Sequence, residues 1–539
     1  MAERLLILGA GIMQWPAIKT ARDMGFETVV VDADPMAPCV ALADHFERID
    51  LKNKEAIETL ARAFRDAGGL SGVFTAGTDF SASVAWVAEK LSLPGIPYEA
   101  ALNASDKERM RRCFKEAGVP SPDFLVINDL PPMDFSLPFA YPVVVKPVDN
   151  MGARGCRRAD SLKELKIAAK EALKASRSGR AIVEEYIDGP EYSIDALIYE
   201  GKVHVCGFAD RIISFPPYFV EMGHTIPTAL DQKTQDSLTA VFIRGVQALG
   251  LTHGAAKGDV KLSSRGPMIG EIAARLSGGY MSGWTYPYSS GVEPTRGAIL
   301  AALGKTPEGL EPVKDWISAE RAFISIPGRV HSIFGVNAVR GMENIKDLFM
   351  RVKPGNRVRF PKSNIGKCGN VISAAPSRGE AVDAAERAAR MVLLRLEVPN
   401  METEDFLLEL NPVLSSAKYP PAAFSIPENL RVLLAMFPEP EFYLPPGRTP
   451  EISIFPFLDF TESDLRDYMG RTVKECLDAV RAVTGLELPM AEGENIAGGI
   501  IMGKSFWTAM IRGGYQGAAY VVDRIALKLQ ARSQEDSKG

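Results

Sequence analysis

From residue 5 to about residue 97, short apolar runs alternate with stretches whose apolar residues recur at helical spacing. The runs 5–8, 28–31 and 72–74 read as buried strands, with helices over 12–24 and 54–67 between them. This βαβα rhythm predicts a parallel sheet, because parallel neighbours need a crossover connection. Ser105-Asp106-Lys107-Glu108 opens another helix in the manner of a capping box, and Gly118-Val119-Pro120 ends it. Tyr141-Pro142-Val143-Val144-Val145-Lys146-Pro147 is a short buried strand with one lysine at its end. A helix over 161–176 follows, then strands over 181–185 and 191–198, and a pair of strands, 258–262 and 268–273, joined by Ser263-Ser264-Arg265-Gly266-Pro267. Residues 304–315 read as a connector, and 324–396 as a smaller unit of short strands with a helix over 380–396. Prolines then crowd from Pro412 to Pro450, which excludes a long helix or a central strand and marks a boundary. Beyond it lie a helix over 464–483, a glycine-rich stretch over 497–517 that reads as turns, an oligomer contact or a cover on the active site, and a disordered polar tail.

Composition narrows the classes. A chain of 539 residues holds three or four domains at about 150 residues each. The formal net charge of -5 gives no general attraction to nucleic acid. With 46% hydrophobic and 24% charged residues the chain has the balance of a folded, water-soluble protein. Its six cysteines are scattered without a zinc-like spacing, so they read as reduced thiols. No apolar run approaches the roughly 18 residues that span a bilayer, and the apolar start at Leu5 is too short for a signal peptide, so the expected location is the cytoplasm.

Candidate chemistry begins at two glycine turns. Gly9-Ala10-Gly11 after the first strand, with Asp32 ending the second, suggests a dinucleotide turn. Gln14 stands where the third glycine would be, so a tight turn with another use fits better. The second turn is Asp149-Asn150-Met151-Gly152-Ala153-Arg154-Gly155, just after Lys146. Such a loop can lay backbone N–H groups around phosphate oxygens while the lysine supplies a point charge. A surface hairpin with a snorkelling lysine is the plainer reading of the same residues. Glu184-Glu185-Tyr186-Ile187 ends an apolar strand in acids, and Glu191 follows a turn; these suit an adenine edge and ribose hydroxyls, or simply an acidic rim. Asp259 and Glu271, on the two adjacent strands, project side by side as hard oxygen ligands for magnesium, with Arg275 four residues further on.

The order of these motifs, from the Asp106-Lys107 helix start to Glu271-Ile272-Ala273-Ala274-Arg275-Leu276-Ser277-Gly278-Gly279, resembles the ATP-grasp superfamily of carboxylate–amine ligases. The resemblance covers roughly residues 1–400. It implies an α/β chain: a Rossmann-like pre-ATP-grasp domain over 1–103, then a two-subdomain ATP-grasp fold over 104–310 with a mobile lid near 125–195. A small α+β domain over 311–411 and a C-terminal unit over 412–539 would complete it. By the same resemblance Lys107 and Lys146 contact ATP phosphates, and Met151, Gly152, Arg154 and Gly155 form the mobile phosphate loop. Glu184, Tyr186 and Ile187 hold the adenine, Glu191 holds the ribose, Asp259 and Glu271 bind Mg²⁺ or Mn²⁺, and Arg275 steadies the transferred phosphoryl group or reacting carboxylate. Glu221-Met222-Gly223-His224 looks most like the amino-acid pocket of the L-amino acid ligases, where a Glu and a His three residues apart line the site. Ser277 and Gly278, with Arg275, complete the substrate side, and Asp79, after a strand of the first domain, faces the cleft. Two departures stand out: Ala273 where many members carry a third, asparagine ligand, and Ala153 where the loop often has serine.

The implied reaction makes an acyl phosphate from a carboxylate and ATP, which an amine then opens to an amide. The implied partners are a small-molecule carboxylate and amine, with neither nucleic acid nor membrane, and with a homodimer as the family's common assembly. Rival readings at this level are a purine-pathway ligase or carboxylase of the same superfamily, and a catalytically silent ATP-binding module. A nicotinamide oxidoreductase rests on Gly9-Ala10-Gly11 alone.

Overall fold

A computed structural model describes residues 3–408, 421–435, 452–454, 464–486, 488, 500–502 and 504–536. The expected boundary at Pro412 and most of the proline-rich run lie outside the described residues, as do Gly498-Gly499 and the last three residues of the polar tail. The chain divides into two compact units, 1–213 with 221–320 and 372–383, and 214–220 with 321–371 and 384–539. Among the described residues no helix is long and apolar enough to cross a membrane.

The first unit begins with β1 (Arg4–Leu8), α1 (Trp15–Asp23), β2 (Glu27–Asp32), β3 (His45–Arg48), α2 (Lys54–Asp66) and β4 (Leu70–Phe74). The strands form a parallel sheet in the order β3-β2-β1-β4, with β1 fully buried from Leu5 to Leu8. The sequence pattern anticipated β1, β2 and β4 and missed β3, whose exposed His45, Glu47 and Arg48 give it no apolar run. α3 (Ser81–Lys90) and α4 (Tyr98–Ser105) follow, then α5 (Lys107–Glu116), capped by Asp106, whose carboxylate accepts from the amides of Glu108 and Arg109.

β5 (Phe124–Ile127), β6 (Val143–Pro147), β7 (Arg157–Ala159) and β8 (Ala181–Glu185) make an antiparallel sheet in the order β5-β8-β6-β7. α6 (Leu162–Ala175) packs on it through Leu165, Ala168, Ala169 and Ala172, giving this segment a small core of its own. A larger sheet then runs through β9 (Glu191–Tyr199), β10 (Lys202–Ser214) and β11 (Val220–Ile226), with α7 (Gln232–Ala248) preceding β12 (Gly254–Ser263) and β13 (Gly266–Ala273). Its order in this part is β13-β12-β9-β10-β11.

The two faces of this sheet differ in kind, as period-2 alternation dictates. Ile194, Ala196, Ala256, Val260, Ile269 and Ile272 turn one way onto Leu238, Phe242 and Val246 of α7. Glycine at 258 lets the helix in, since a Cβ there would lie 2.5 Å from the Phe242 ring. Directly opposed pairs Lys257↔Asp195, Asp259↔Ser193 and Lys261↔Glu191 put the charged residues on the other face. The β12–β13 ladder pairs Asp259 with Glu271 and Val260 with Ile269, so Gly270 is an extra residue, a bulge. Arg111 donates to the Gly270 carbonyl.

The expected helix over 380–396 is two elements, the helix Arg378–Met391 and the strand Leu393–Leu396. The strand pairs with Gly328–Phe334, and the Leu394 amide donates to the Tyr515 hydroxyl at 2.7 Å, so long-range pairing overrides the helical spacing. Asp464–Val483 was expected as one helix; only Val473–Thr484 is helical, starting at a capping box of Thr472 and Glu475. Gly513 to Gly517 are no hairpin turn either. They lie within the helical stretch Lys504–Asp536, which breaks at Gly514 (φ 54°), where a Cβ would meet the Asp467 carboxylate at 2.6 Å.

Candidate active site

The charged face of the large sheet gathers most of the anticipated residues within the first unit. Asp259 and Glu271 are cross-strand partners, as their spacing suggested. The Lys107 ammonium, only 8% exposed at the start of α5, lies 3.5 Å from Glu271 and donates to the Asn150 carbonyl at 2.8 Å, tying the acid to the start of the glycine loop. Burial pushes the Glu271 carboxyl upward, but Lys107, Lys146, Lys257 and Arg275 outweigh it and hold the group at about 2. A half-buried pair of carboxylates of this kind, ringed by cations, has the hard oxygen chemistry that suits Mg²⁺ or Mn²⁺.

Lys146 reaches back to Glu184, with 2.7 Å between Nζ and Oε2. Glu184 also receives Arg111 at 2.9 Å and is buried. Burial raises its carboxyl, and the Arg111 and Lys146 charges outweigh that and lower it. Glu184 is therefore held by protein cations, where the sequence suggested an acceptor for adenine or ribose, or else an acidic rim. Tyr186 stands between Arg158 and Lys261, whose charges lie 4.8 and 5.0 Å from its ring centre. The Tyr186 amide donates to the Pro142 carbonyl at 3.2 Å, and the Lys261 ammonium donates to the Ile187 carbonyl at 2.6 Å.

The loop from Met151 to Gly155 has left-handed backbone at Gly152, Ala153 and Gly155 (φ 64°, 59° and 68°), a curve that turns successive amides inward. Within it Arg154 Nε donates to the Met151 carbonyl at 3.0 Å. Asp79, Lys107, Arg177, Glu271 and Arg275 line a cavity of about 650 Å³. Asp79 is paired there with Arg177 at 2.9 Å. The Ala76 to Leu276 bridge and the close approach of Gly77 to Gly278 explain how a residue of the first sheet reaches it.

Sequence reasoning passed over the residue that organises the other acids. Arg211, on β10, donates to Glu191, Glu221 and Asp259 together. No local pattern marks it, because its partners come from three strands. His224 is fully buried, with Nδ1 3.3 Å from Glu320 and Nε2 3.0 Å from the Thr285 hydroxyl. Glu221, His224 and Glu320 have ligand atoms within 4.8 Å of one another. Glu320 and Lys257 were also missed, though each is a charge inside an apolar strand, the same signal that singled out Lys146. Ser277 donates its amide to Asp195 at 3.2 Å; burial pushes that carboxyl up, and the Tyr286 hydroxyl also binds it at 3.1 Å.

The dinucleotide-like turn is filled by its own side chains. Gln14 is fully buried, donates to Thr75 at 3.3 Å and to the Ala76 carbonyl, and accepts from the Ala76 amide at 3.0 Å. Asp32, the would-be ribose acid, accepts from the Ala10 amide at 2.7 Å.

Two stretches of the chain match known families. Residues 139–283 match the ATP-grasp domain, and residues 322–397 match L-amino acid ligase C-terminal domain 2. Carnosine synthase 1 of Gallus gallus is 27% identical over 334 residues, which cover 56% of this chain and 35% of that protein. The chain thus spans about a third of that relative's length. The crystal structure of L-amino acid ligase from Bacillus licheniformis superposes with a TM-score of 0.64 at 22% identity, over 74% of this chain and 100% of that one. Phosphoribosylglycinamide synthetase from Anaerococcus prevotii gives 0.58 at 21%, over 74% and 100%. The shared fold alone does not separate these activities. The second matched domain does lean one way: the chain carries an ATP-grasp domain, and over residues 322–397 it is similar to the L-amino acid ligases.

Proposed function

We propose that this chain joins a carboxylate to an amine at the expense of ATP, with amino acids as substrates and with ADP and phosphate as the other products. The observation that carries the reading is the Asp259–Glu271 pair facing Lys107, Lys146, Lys257 and Arg275, a concentration of both charges suited to a polyanion and its metal ion. In the first step a carboxylate oxygen attacks the γ-phosphorus, the bond from that phosphorus to the β-γ bridging oxygen breaks, and ADP leaves. In the second the amine nitrogen attacks the acyl carbon, the carbon–oxygen bond to phosphate breaks, and the nitrogen gives up a proton. Neither step needs a covalent enzyme nucleophile, so the work lies in positioning and in charge.

The metal ion, when bound, neutralises phosphate charge. Asp259 and Glu271 are the residues that would hold it. Lys107 and Lys146 place positive charge at the phosphates, and Arg275, in the wall of the cavity, meets the anionic oxygens of the transferred group. The loop from Met151 to Gly155 covers the nucleotide and keeps water from the acyl phosphate. Glu221 and His224 select the amino acid, with His224 fixed from behind by Glu320. The likeness to an L-amino acid ligase domain over residues 322–397 supports amino-acid substrates over the purine-pathway alternative.

The test is phosphate release from ATP and Mg²⁺ with purified protein, screened over single amino acids and then pairs, with mass spectrometry of active mixtures. A product with the mass of the pair minus water supports the reading. Turnover with bicarbonate or a ribosylamine and none with any amino acid overturns the substrate class. Glu221→Ala and His224→Ala are expected to change substrate preference while leaving ATP affinity within about twofold; unchanged preference in both would remove the pocket assignment.

A further inference from the structure

On the charged face of β12 and β13 four side chains form a square. Asp259 stands opposite Glu271, and one step along the ladder Lys257 stands opposite Ala273. Two corners are thus carboxylates, one is an ammonium and one is a methyl group. Lys257 is only 8% exposed, and its ammonium donates to Asp259 Oδ1, the same oxygen that receives Arg211. Its charge is also among those that hold Glu271 ionised.

Catalytic sites with two divalent ions share carboxylates between ions about 4 Å apart. Here the place beside the acidic pair that a second ion would take is bordered by a methyl group, which offers no oxygen, and by a fixed positive charge, which repels a cation. Resting on the reading of this site as an ATP-grasp centre, we propose that Lys257 is a resident cation standing in for one of two divalent ions, so that the chain handles its nucleotide with one metal ion. Glu271 and Asp259 hold that ion, and Lys257 neutralises the side of the carboxylate pair that a second ion would otherwise occupy. A lysine cannot exchange with solvent, so the charge at this corner is independent of the free metal concentration.

The measurement is the number of Mn²⁺ ions bound per protein at saturating ADP, read from the free Mn²⁺ signal in electron paramagnetic resonance, with ADP binding followed separately by calorimetry. The wild-type chain is expected to bind one ion per ADP. Lys257→Met combined with Ala273→Asn removes the charge and supplies an oxygen, and is expected to bind two. Lys257→Arg, which keeps a cation, stays at one and controls for a misfolded double variant. Two ions per ADP in the wild type, or one ion in a folded double variant, overturns the proposal. If ADP itself does not bind, the ATP-grasp reading of the site fails and takes this inference with it.

Discussion

Two glycine turns in the first unit end in opposite states. The turn at Gly9 to Gly11 has its hollow filled by Gln14 and its acid, Asp32, spent on its own backbone. The turn at Met151 to Gly155 has three left-handed residues, and Lys107, Arg275 and Glu271 belong to the wall of the adjoining cavity. Both look like phosphate loops in the sequence. What closes the first is the side chain that follows, a long amide with buried partners. A glycine motif is therefore a statement about backbone shape, and its neighbours decide whether a ligand or the protein itself uses that shape.

The largest effect expected along the second turn is loss of turnover on removing a charge it serves. Glu271→Gln should lower phosphate release by about three orders of magnitude, comparable to removing a principal electrostatic group, a loss far larger than any fall in the folded fraction. Wild-type rates in this variant would dismiss the metal assignment. Lys146→Ala should also abolish turnover, and it leaves buried Glu184 with Arg111 alone, so a loss of stability of about 3 kcal/mol accompanies it in urea titrations. Gly155→Ala comes next, since the added methyl lies 2.7 Å from Ala175 on a left-handed backbone; a fall in turnover of about tenfold with ATP affinity little changed is the expected outcome.

At the first turn the prediction inverts. Gln14→Ala should cost about 2 kcal/mol of stability by leaving Ala76 unpartnered, while the folded fraction keeps its turnover. A loss of activity larger than the loss of folded protein would show that this turn also serves the chemistry. The smallest effect concerns acid. Glu271 sits at about 2 when folded, below its ordinary 4.5, so it contributes stability above the ordinary value that is lost as pH falls toward 2. Stability of Glu271→Gln measured from pH 5 to pH 2 should therefore fall less steeply than that of the wild type.

Much of this was legible in the chain. The strands bearing Lys146, Asp259 and Glu271 announced themselves because a charge interrupting an apolar run must meet a counter-charge or a cleft. The pairing of Asp259 with Glu271 followed from a short connection between two strands. Arg211 was not legible, because the acids it joins arrive from β9, β11 and β12 and only the sheet order brings them together. The strand Leu393–Leu396 was misread as helix because its role is set by partners more than a hundred residues away, Tyr515 and Gln516 among them.

The bulge at Gly270 carries a consequence of its own. In an unbroken strand Ile269 and Glu271, two positions apart, would share a face. Yet Ile269 sits in the apolar layer on α7 and Glu271 among the lysines of the other side. One surplus residue shifts the phase of the strand by half a period, and the side of the sheet that the carboxylate faces depends on chain length there as much as on composition. Deleting Gly270 would make Ile269 and Glu271 direct neighbours, which plain alternation still puts on opposite faces; what goes with the bulge is the carbonyl that receives Arg111.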